Sequence, residues 1–529
     1  MEIFDFIIVG AGSAGCVLAN RLTAKPDTTL CLIEDGPRDR HPFIHIPAGI
    51  VGLAKDRRHF WRFDSSRQAG AGDRTVEVPR GRTLGGSSAI NGMVYTRGHP
   101  LDYDEWAALG NAGWSFDDVL PFFKRSENNE TYGDSPWHGR GGPLNVTDLK
   151  SHNPMVDVLL DAAASLQMPI RQDFNAEDQE GFGRRQVTQR NGRRESAATA
   201  YLDPVRHRKN LNIVTGGRVL RVILEEGRAV GIEVEENGTR RRIRARREVI
   251  LAAGAIGSPT VLMLSGIGDG HDLKGRSLEV AHHLPGVGKN LQDHVAAGVK
   301  HMSPSDKPYG LSWRALPYLT RSVFDYMLFR RGLFASNIME AGGFLRSKSD
   351  LLRPDLQFIF MPAHRMPGRI FALGHGYTLY AAVMRPKSRG SVMLSGDPFA
   401  RPVIDLNLLG EEEDLQLLLA GVKTARRILA APAFDPYRGE EVRPGGKVQS
   451  DGEVISFIRQ TAQTVFHPVG TCKMGIDDAA VVDPQLRVRG IRGLRVVDAS
   501  IMPTIIGGNT SAPTMMIAEK ASDMILRTG

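Results

Sequence analysis

The sequence predicts an α/β protein in which a Rossmann-like dinucleotide-binding domain is interleaved with a second, α+β domain. Three observations carry this. Residues 6–15 read FIIVGAGSAG, a short apolar run leading into a glycine-rich turn. Apolar runs of the same buried-strand type return at 29–33 and 247–253, far apart in the chain. The length of 529 residues also exceeds what a single core holds, so two domains are expected.

Taken in order, Phe6-Ile7-Ile8-Val9 reads as a strand buried on both faces, and Gly10, Gly12 and Gly15 supply G-x-G-x-x-G. Gly10 permits the tight turn and Gly12 lets the backbone approach a pyrophosphate. Gly15 lets the following helix, Cys16–Leu22, pack on the strand, with the amides around Ser13 and Ala14 facing the phosphates. The second strand, Thr29–Ile33, ends in Glu34, nineteen residues beyond Gly15. An acid there accepts hydrogen bonds from ribose hydroxyls and repels a 2′-phosphate. Asp35 adds a second acid beside it.

Residues 81–92, GRTLGGSSAING, are rich in small side chains, so backbone can lie flat against a ring. Val230–Val234 and Ile243–Ile250 read as a hairpin around Glu235-Glu236-Asn237-Gly238. Arg247–Gly254 is a further buried strand leading to a helix, with Ser258 as its N-cap, Pro259 in its first turn and Gly266 as its stop. Farther on, Leu356–Met361, Tyr377–Val383 and Ser391–Leu394 read as strands and Glu411–Ala431 as an amphipathic helix. No internal repeat or low-complexity tract interrupts the chain.

Several of these segments carry a family resemblance. GRTLGGSSAING, GAIGSPTVLMLSGIG, GVGKNLQDH (286–294), RPKSRGSVML (385–394), HPVGTCKMG (467–475) and VVDASIMPT (496–504) occur in the expected order. Together they make the sequence resemble the glucose–methanol–choline oxidoreductases, closest to the bacterial choline and sorbose dehydrogenase types. The resemblance implies FAD as cofactor. It also implies an FAD-binding domain at 1–150, 194–300 and 461–529, with a substrate domain at 151–193 and 301–460 built on an antiparallel sheet. It names His467 as the base that takes a hydroxyl proton, a task suited to a side chain titrating near neutrality. Asn509 is its partner, donating to the developing alkoxide. The same carry-over gives Arg82, Gly85, Gly86, Ser87, Asn91, Gly92, Val219, Asp498, Ala499, Asn509 and Thr510 as cofactor contacts, beside the Gly10–Gly15 turn and Glu34. The helix beginning near Pro513 places its positive end towards the flavin. Where some relatives attach flavin through a histidine, this chain has Ile90, so FAD is expected to be non-covalent.

Trp61, Glu340, Phe344, Phe358 and Met361 are the expected wall of the substrate cavity. His138, His283, His294 and His364 lack a comparable motif and are read as structural or surface residues. The expected reaction is oxidation of a primary or polyol-type alcohol, with a quinone, another carrier or O2 as electron acceptor. An alcohol oxidase, a redox-silent flavin lyase and a non-catalytic flavoprotein remain the alternatives. No metal is called for.

Composition narrows the setting. With 41% hydrophobic and 24% charged residues the chain is an ordinary globular protein, and no apolar stretch is long enough to span a bilayer. MEIFD at the start has no basic n-region, and three cysteines (Cys16, Cys31, Cys472) form no disulfide framework, so a cytoplasmic monomer or homodimer is expected. The net charge of +8 concentrates at 240–247, but no aromatics interleave there to stack bases, so nucleic acid is not expected as a partner.

Overall fold

In the computed structural model, which describes residues 2–53, 56–364, 373–397 and 400–527, the first apolar run becomes strand β1 (Glu2–Val9), whose last four residues are buried. It is central to a seven-stranded sheet. On one side β1 pairs in parallel with β2 (Leu30–Glu34), and β2 with β3 (Leu211–Thr215). The other half of the sheet contains β4 (Gly217–Glu225), β5 (Arg228–Glu236) and β6 (Thr239–Leu251). Strand β6 pairs in parallel with β1 and antiparallel with β5, and the short strand Leu494–Val496 adds to β6 from the far end of the chain. The β5–β6 hairpin turns at Asn237 and Gly238, with φ of 51° and 77°, the left-handed pair that a tight hairpin requires. Three of the six arginines of β6 are matched by acids: Arg241 pairs with Glu2 and Glu236, Arg244 with Glu225, and Arg246 with Asp5. The expected basic run is therefore a strand whose charge is partly neutralised by neighbouring acids.

Helix α1 (Ser13–Leu22) follows the glycine turn, and α2 (Phe116–Ser126) begins with a Ser115–Asp118 capping box. Helix α3 (Gly254–Leu264) starts earlier than the sequence signals suggest. Ser258 does not cap it; its hydroxyl donates to Asp498 at 2.6 Å from within the helix. Pro259 lies inside α3 and has no N–H for the Ala255 carbonyl. The Thr471 hydroxyl donates to that oxygen instead, at 2.6 Å, so the helix continues.

The second sheet has eight strands and is antiparallel. Its main strands are β7 (Val295–Ser303), β8 (Ala341–Leu345), β9 (Leu356–Met361) and β10 (Gly374–Val383), in spatial order β7-β10-β9-β8. The strand Gly181–Arg184 extends it beyond β8. Ser391–Met393 is a strand, but it pairs with Val403–Asp405 in a separate ribbon. Helix α4 (Leu316–Phe329) lies outside the sheet, and α5 (Glu412–Leu429) packs on one sheet face. Leu356, Phe358 and Phe360 of β9 share a core with Leu415, Leu418 and Val422 of α5. Period-2 alternation turns Gln357, Ile359 and Met361 to the opposite face. The mixed first sheet, parallel around β1, and the antiparallel second sheet agree with the fold class read from the sequence.

Helix α6 (Ser511–Arg527) returns to the first sheet and packs against α1 and α2. Its fully buried Glu519 carboxylate accepts from Arg21 Nη2 (2.7 Å), Arg125 Nε (2.8 Å) and the Tyr201 hydroxyl (2.8 Å). One acid thus joins α1, α2, α6 and the turn at Tyr201. Replacing it by leucine leaves two arginines facing apolar atoms. Glu519→Leu is expected to cost about 3 kcal/mol, the lower end for a broken buried pair because both arginines reach water. Denaturant unfolding followed by circular dichroism checks this, and Glu519→Gln, which keeps an acceptor, is expected to lose less.

Candidate active site

The carboxyl ends of β1, β2 and β6 open onto a cavity of about 440 Å³ whose opposite wall is the second sheet. Gly10 leaves β1 with φ of 102°, and a Cβ there would meet the Ala252 carbonyl oxygen at 2.6 Å. A Cβ on Gly15 would come within 1.9 Å of the Gly10 oxygen, so Gly15 seats α1 on the turn and does not line the cavity. Gly12 differs, since the nearest atom to a Cβ there is 3.9 Å away. Gly10, Gly12, Ser13 and Ala14 form the cavity wall, so the amides of the first turn of α1 face open space. Gly254, with φ of 78°, has nothing within 4 Å of where a Cβ would stand. The missing side chains leave the room that a dinucleotide needs against backbone, and the residues present fit one.

Glu34 ends β2 as expected and lines the cavity. It also braces the turn, accepting from Ala11 N at 3.0 Å and Gly36 N at 2.9 Å, while burial pushes its pKa up to about 7. Asp35 is paired with Arg82 Nε at 2.8 Å. That pairing accounts for both residues: Arg82 stacks over the Trp61 ring at 4.9 Å and is not part of the wall. Gly85 also lies behind the wall, and its N–H ties the 81–92 loop to Ala11 O at 2.8 Å. Gly86, Ser87, Asn91, Gly92, Val219, Asp498, Ala499 and Thr510 all line the cavity. The Asn91 amide oxygen accepts from Met93 N (3.0 Å) and Arg194 Nη1 (2.8 Å). Asp498 takes backbone amides rather than standing free, accepting from Gly254 N and Ser500 N, each at 2.8 Å.

His467 and Asn509, 42 positions apart, meet at the cavity wall with Asn509 Nδ2 3.1 Å from His467 Nε2. The Asn509 oxygen accepts from the Thr96 hydroxyl at 3.4 Å, which turns the NH2 group towards His467. On its other side His467 Nδ1 lies 2.9 Å from Nδ1 of His294. His294 Nε2 faces only carbonyl oxygens, Met384 O at 3.0 Å and Ile506 O at 3.1 Å, so it carries the hydrogen. Burial lowers the His294 pKa to about 4, which keeps the ring neutral and makes its Nδ1 an acceptor. The proton between the two rings therefore belongs to His467 Nδ1, and the lone pair of His467 Nε2 points to Asn509 and the cavity. Burial, with lesser repulsion from His294 and Arg80, also holds the His467 pKa well below the ordinary value of 6.5. The Asp293 carboxylate accepts from His467 N at 2.8 Å and from the Thr464 hydroxyl, fixing the backbone.

His294 was read from the sequence as structural or surface, and Asp293 was passed over. The available signal was the Asp-His pair that closes GVGKNLQDH directly before β7, whose Val295 pairs with Thr464 three residues from His467.

Of the residues expected in the substrate wall, the cavity receives some and not others. Trp61 and Met361 line the cavity. Phe358 does not, because it has the opposite strand parity from Met361 and belongs to the core under α5. Phe344 is on the cavity face but is covered by the Arg185 guanidinium, 5.4 Å above its ring. Glu340 turns away, its carboxylate accepting from Tyr309 (2.7 Å), Ser336 (2.5 Å) and Asn153 N (2.6 Å). The observed wall instead contains Arg185, Met339, Gln357, Ile359 and Tyr380.

The N-terminal model of the GMC oxidoreductases matches residues 4–296, and the C-terminal model residues 386–518. The chain is 44% identical over 529 residues to an alcohol dehydrogenase (acceptor) of Pseudomonas putida, covering 99% of this chain and 96% of that protein. It is likewise 44% identical over 527 residues to an oxygen-dependent choline dehydrogenase of Brucella suis biovar 1, covering 99% and 95%. Among solved structures, pyridoxine 4-oxidase from Mesorbium loti superposes with a TM-score of 0.88 at 32% identity, covering 98% of each chain. A formate oxidase superposes with a TM-score of 0.91 at 26% identity, covering 100% of this chain and 98% of that one.

The glycine geometry separates two kinds of defect. A Gly12→Val side chain projects into the cavity, and overpacking of about 1–3 kcal/mol corresponds to roughly ten- to a hundredfold weaker FAD binding. Folding should be intact, as judged by circular dichroism, with the flavin band lost on gel filtration. Gly15→Val, which clashes with backbone at 1.9 Å, is expected to lower the unfolding midpoint itself.

Proposed function

The chain belongs to the glucose–methanol–choline oxidoreductase family, and from that premise we propose that it is an FAD-dependent dehydrogenase of primary or polyol-type alcohols. The observation that carries this reading is the His467–Asn509 pair, 3.1 Å apart on the wall of a cavity whose other end is a dinucleotide cradle. FAD, when bound, supplies the two-electron acceptor for the alcohol carbon. Non-covalent retention follows from Ile90, which offers no nucleophile at the position of attachment.

The chain's own groups divide the remaining work. His467 Nε2, with its lone pair towards the cavity, takes the hydroxyl proton as the alcohol becomes a carbonyl compound. The substrate hydroxyl takes the place of the Asn509 N–H at His467 Nε2, and the Asn509 NH2 then donates to the substrate oxygen, which orients the carbon and stabilises developing negative charge. His294 accepts from His467 Nδ1–H and so keeps the basic nitrogen on the cavity side. It acts as a positioning residue. Met339, Ile359, Met361 and Tyr380 exclude water around the reacting carbon.

Anaerobic addition of an alcohol panel to the holoenzyme should bleach the oxidised flavin band, and its slow recovery in air marks a dehydrogenase. A flavin that no alcohol bleaches would overturn the reading. His467→Ala is expected to lower kcat by about 100- to 10,000-fold, the usual contribution of a general base. His294→Phe removes the acceptor for Nδ1–H and is expected to cost roughly ten- to a hundredfold, comparable to other losses of a group that orients an imidazole. Because burial depresses the His467 pKa, the base stays neutral as pH falls through 6.5. The acid limb of kcat/KM should therefore lie below that value and move upward in His294→Phe, a shift that a purely structural role would not produce.

A further inference from the structure

We propose that the substrate cavity is built for an alcohol that also carries an anionic group, such as a carboxylate, received by Arg185 with Gln357 beside it. This rests on the alcohol-oxidising reading above and narrows its substrate class.

Among the described residues four arginines are buried: Arg97, Arg185, Arg194 and Arg495. Arg97 pairs with Glu127, and Arg495 with Glu248, its Nε 2.6 Å from the carboxylate. Arg194 donates from Nε to Ile44 O (2.9 Å) and from Nη1 to oxygens of Ser88 and Asn91. Among the described residues Arg194 also has no ion pair and a buried Nη2 without a partner, but its acceptors hold it behind the cavity wall. Arg185 alone of the four lines the cavity. Its side chain has one hydrogen bond, from Nη2 to Phe358 O at 2.7 Å, its Nε is buried without a partner, and no acid forms an ion pair with it. The guanidinium carbon lies over the rings of Phe174 and Phe344, 5.8 and 5.4 Å from their centres. Burial alone lowers its pKa, to about 10, so it keeps its charge at neutral pH.

Gln357 is fully buried on the same wall, and neither its amide nitrogen nor its oxygen has a partner. It is the register partner of Phe344, the ring beneath Arg185, so the two polar groups are neighbours on one sheet face. A buried charge without a counter-charge and an unsatisfied amide are both unfavourable in the empty protein. A carboxylate relieves both, since guanidinium binds it through parallel N–H donors. The acids lining the cavity are Glu34, Asp35 and Asp498, all at the dinucleotide end, so the substrate end offers no counter-ion to a cationic alcohol.

The test uses holoenzyme and matched series of ω-hydroxy acids, neutral primary alcohols and ω-amino alcohols. The expected order of kcat/KM is hydroxy acid above neutral alcohol above amino alcohol. Arg185→Met should lower the hydroxy-acid to alcohol ratio by about thirtyfold or more, as for truncation of one member of a buried charge pair, with partial rescue in Arg185→Lys. Hexanoate should perturb the flavin spectrum of wild type and not of Arg185→Met. A ratio unchanged by either variant overturns the proposal, as does a variant that loses FAD or stability without changing the ratio. Failure of every alcohol to reduce the flavin would instead overturn the broader function.

A second observation stands independently at helix α4. Six large apolar side chains at this helix and the turn before it, Trp313, Leu316, Phe324, Met327, Leu328 and Phe329, are 53–90% exposed, whereas Ser322 and Tyr326 are turned inward. The amphipathic order is inverted, with the more apolar face towards solvent. Arg314, Arg321, Arg330 and Arg331 surround this face. The one acid of the segment, Asp325, is already bridged to Arg321 and Arg331. We infer that α4 docks on an anionic lipid surface, lying in its plane, because a second copy would bring arginines against arginines while phosphate headgroups complement them. No helix among the described residues is long and apolar enough to cross a membrane.

Co-sedimentation of the full chain with phosphatidylcholine vesicles, with and without phosphatidylglycerol, tests this. Wild type should bind the anionic vesicles, Phe324→Glu/Leu328→Glu should not, and each arginine replaced by serine should weaken binding about fivefold. Both variants lie outside the catalytic machinery and should retain alcohol-dependent flavin bleaching. Wild type that fails to bind anionic vesicles overturns the inference. So does binding unaffected by the double substitution, or a dimer that the same substitution makes monomeric without any vesicle binding.

Discussion

Close backbone contact at the carboxyl ends of β1, β2 and β6 is the constraint on which the rest of the structure depends. Gly10 lies beneath the Ala252 carbonyl, Gly15 against the Gly10 oxygen, and Gly86 so near Gly12 that a Cβ would sit 2.7 Å from its Cα. Three distant stretches of chain can meet there only because glycines at 10, 15 and 86 leave backbone to touch backbone. The glycines also do different things. Those at 10, 15 and 86 let backbone touch backbone, while those at 12 and 254 leave space into which a cofactor fits.

Around that crossing the second sheet uses its two faces for unlike purposes. The face carrying Leu356, Phe358 and Phe360 is closed by α5 and supplies stability. The face carrying Gln357, Ile359 and Met361 is left open as the cavity wall. Such a division is available to an antiparallel sheet, whose alternate side chains can meet different environments. Its edges also bring β7 beside Gln463–Thr464, which places His294 next to His467. Two neutral imidazoles in a dry setting then define where the proton is and where the lone pair is, an arrangement that requires burial and would be lost in water.

Much of this organisation was legible in the sequence. The G-x-G-x-x-G turn, Glu34, the 81–92 loop, His467 and Asn509 were identified from short motifs, because each depends on local backbone chemistry or on residues close in sequence. The resemblance supplied the cofactor and the antiparallel sheet. Less legible was the substrate wall. Phe358 and Met361 were both expected there, although strand parity separates them, and Phe344 was expected without the arginine that covers it. Glu340 was expected there too, whereas its carboxylate is engaged by Tyr309, Ser336 and the Asn153 amide.

The sequence by itself determined the dinucleotide cradle, the histidine and asparagine that meet at the cavity wall and the presence of two sheets, since these are written in glycine spacing, strand periodicity and motif order. The tertiary structure alone decided which nitrogen of His467 carries the hydrogen, which face of β9 lines the cavity, and that no acid among the described residues pairs with Arg185. Each of those depends on a partner far away in the chain: His294 is 173 positions from His467, and the Phe358 oxygen is 173 positions from Arg185. Hydrogen-bond direction, burial and charge balance are properties of assembled neighbours, and long-range neighbours exist only once the chain has folded.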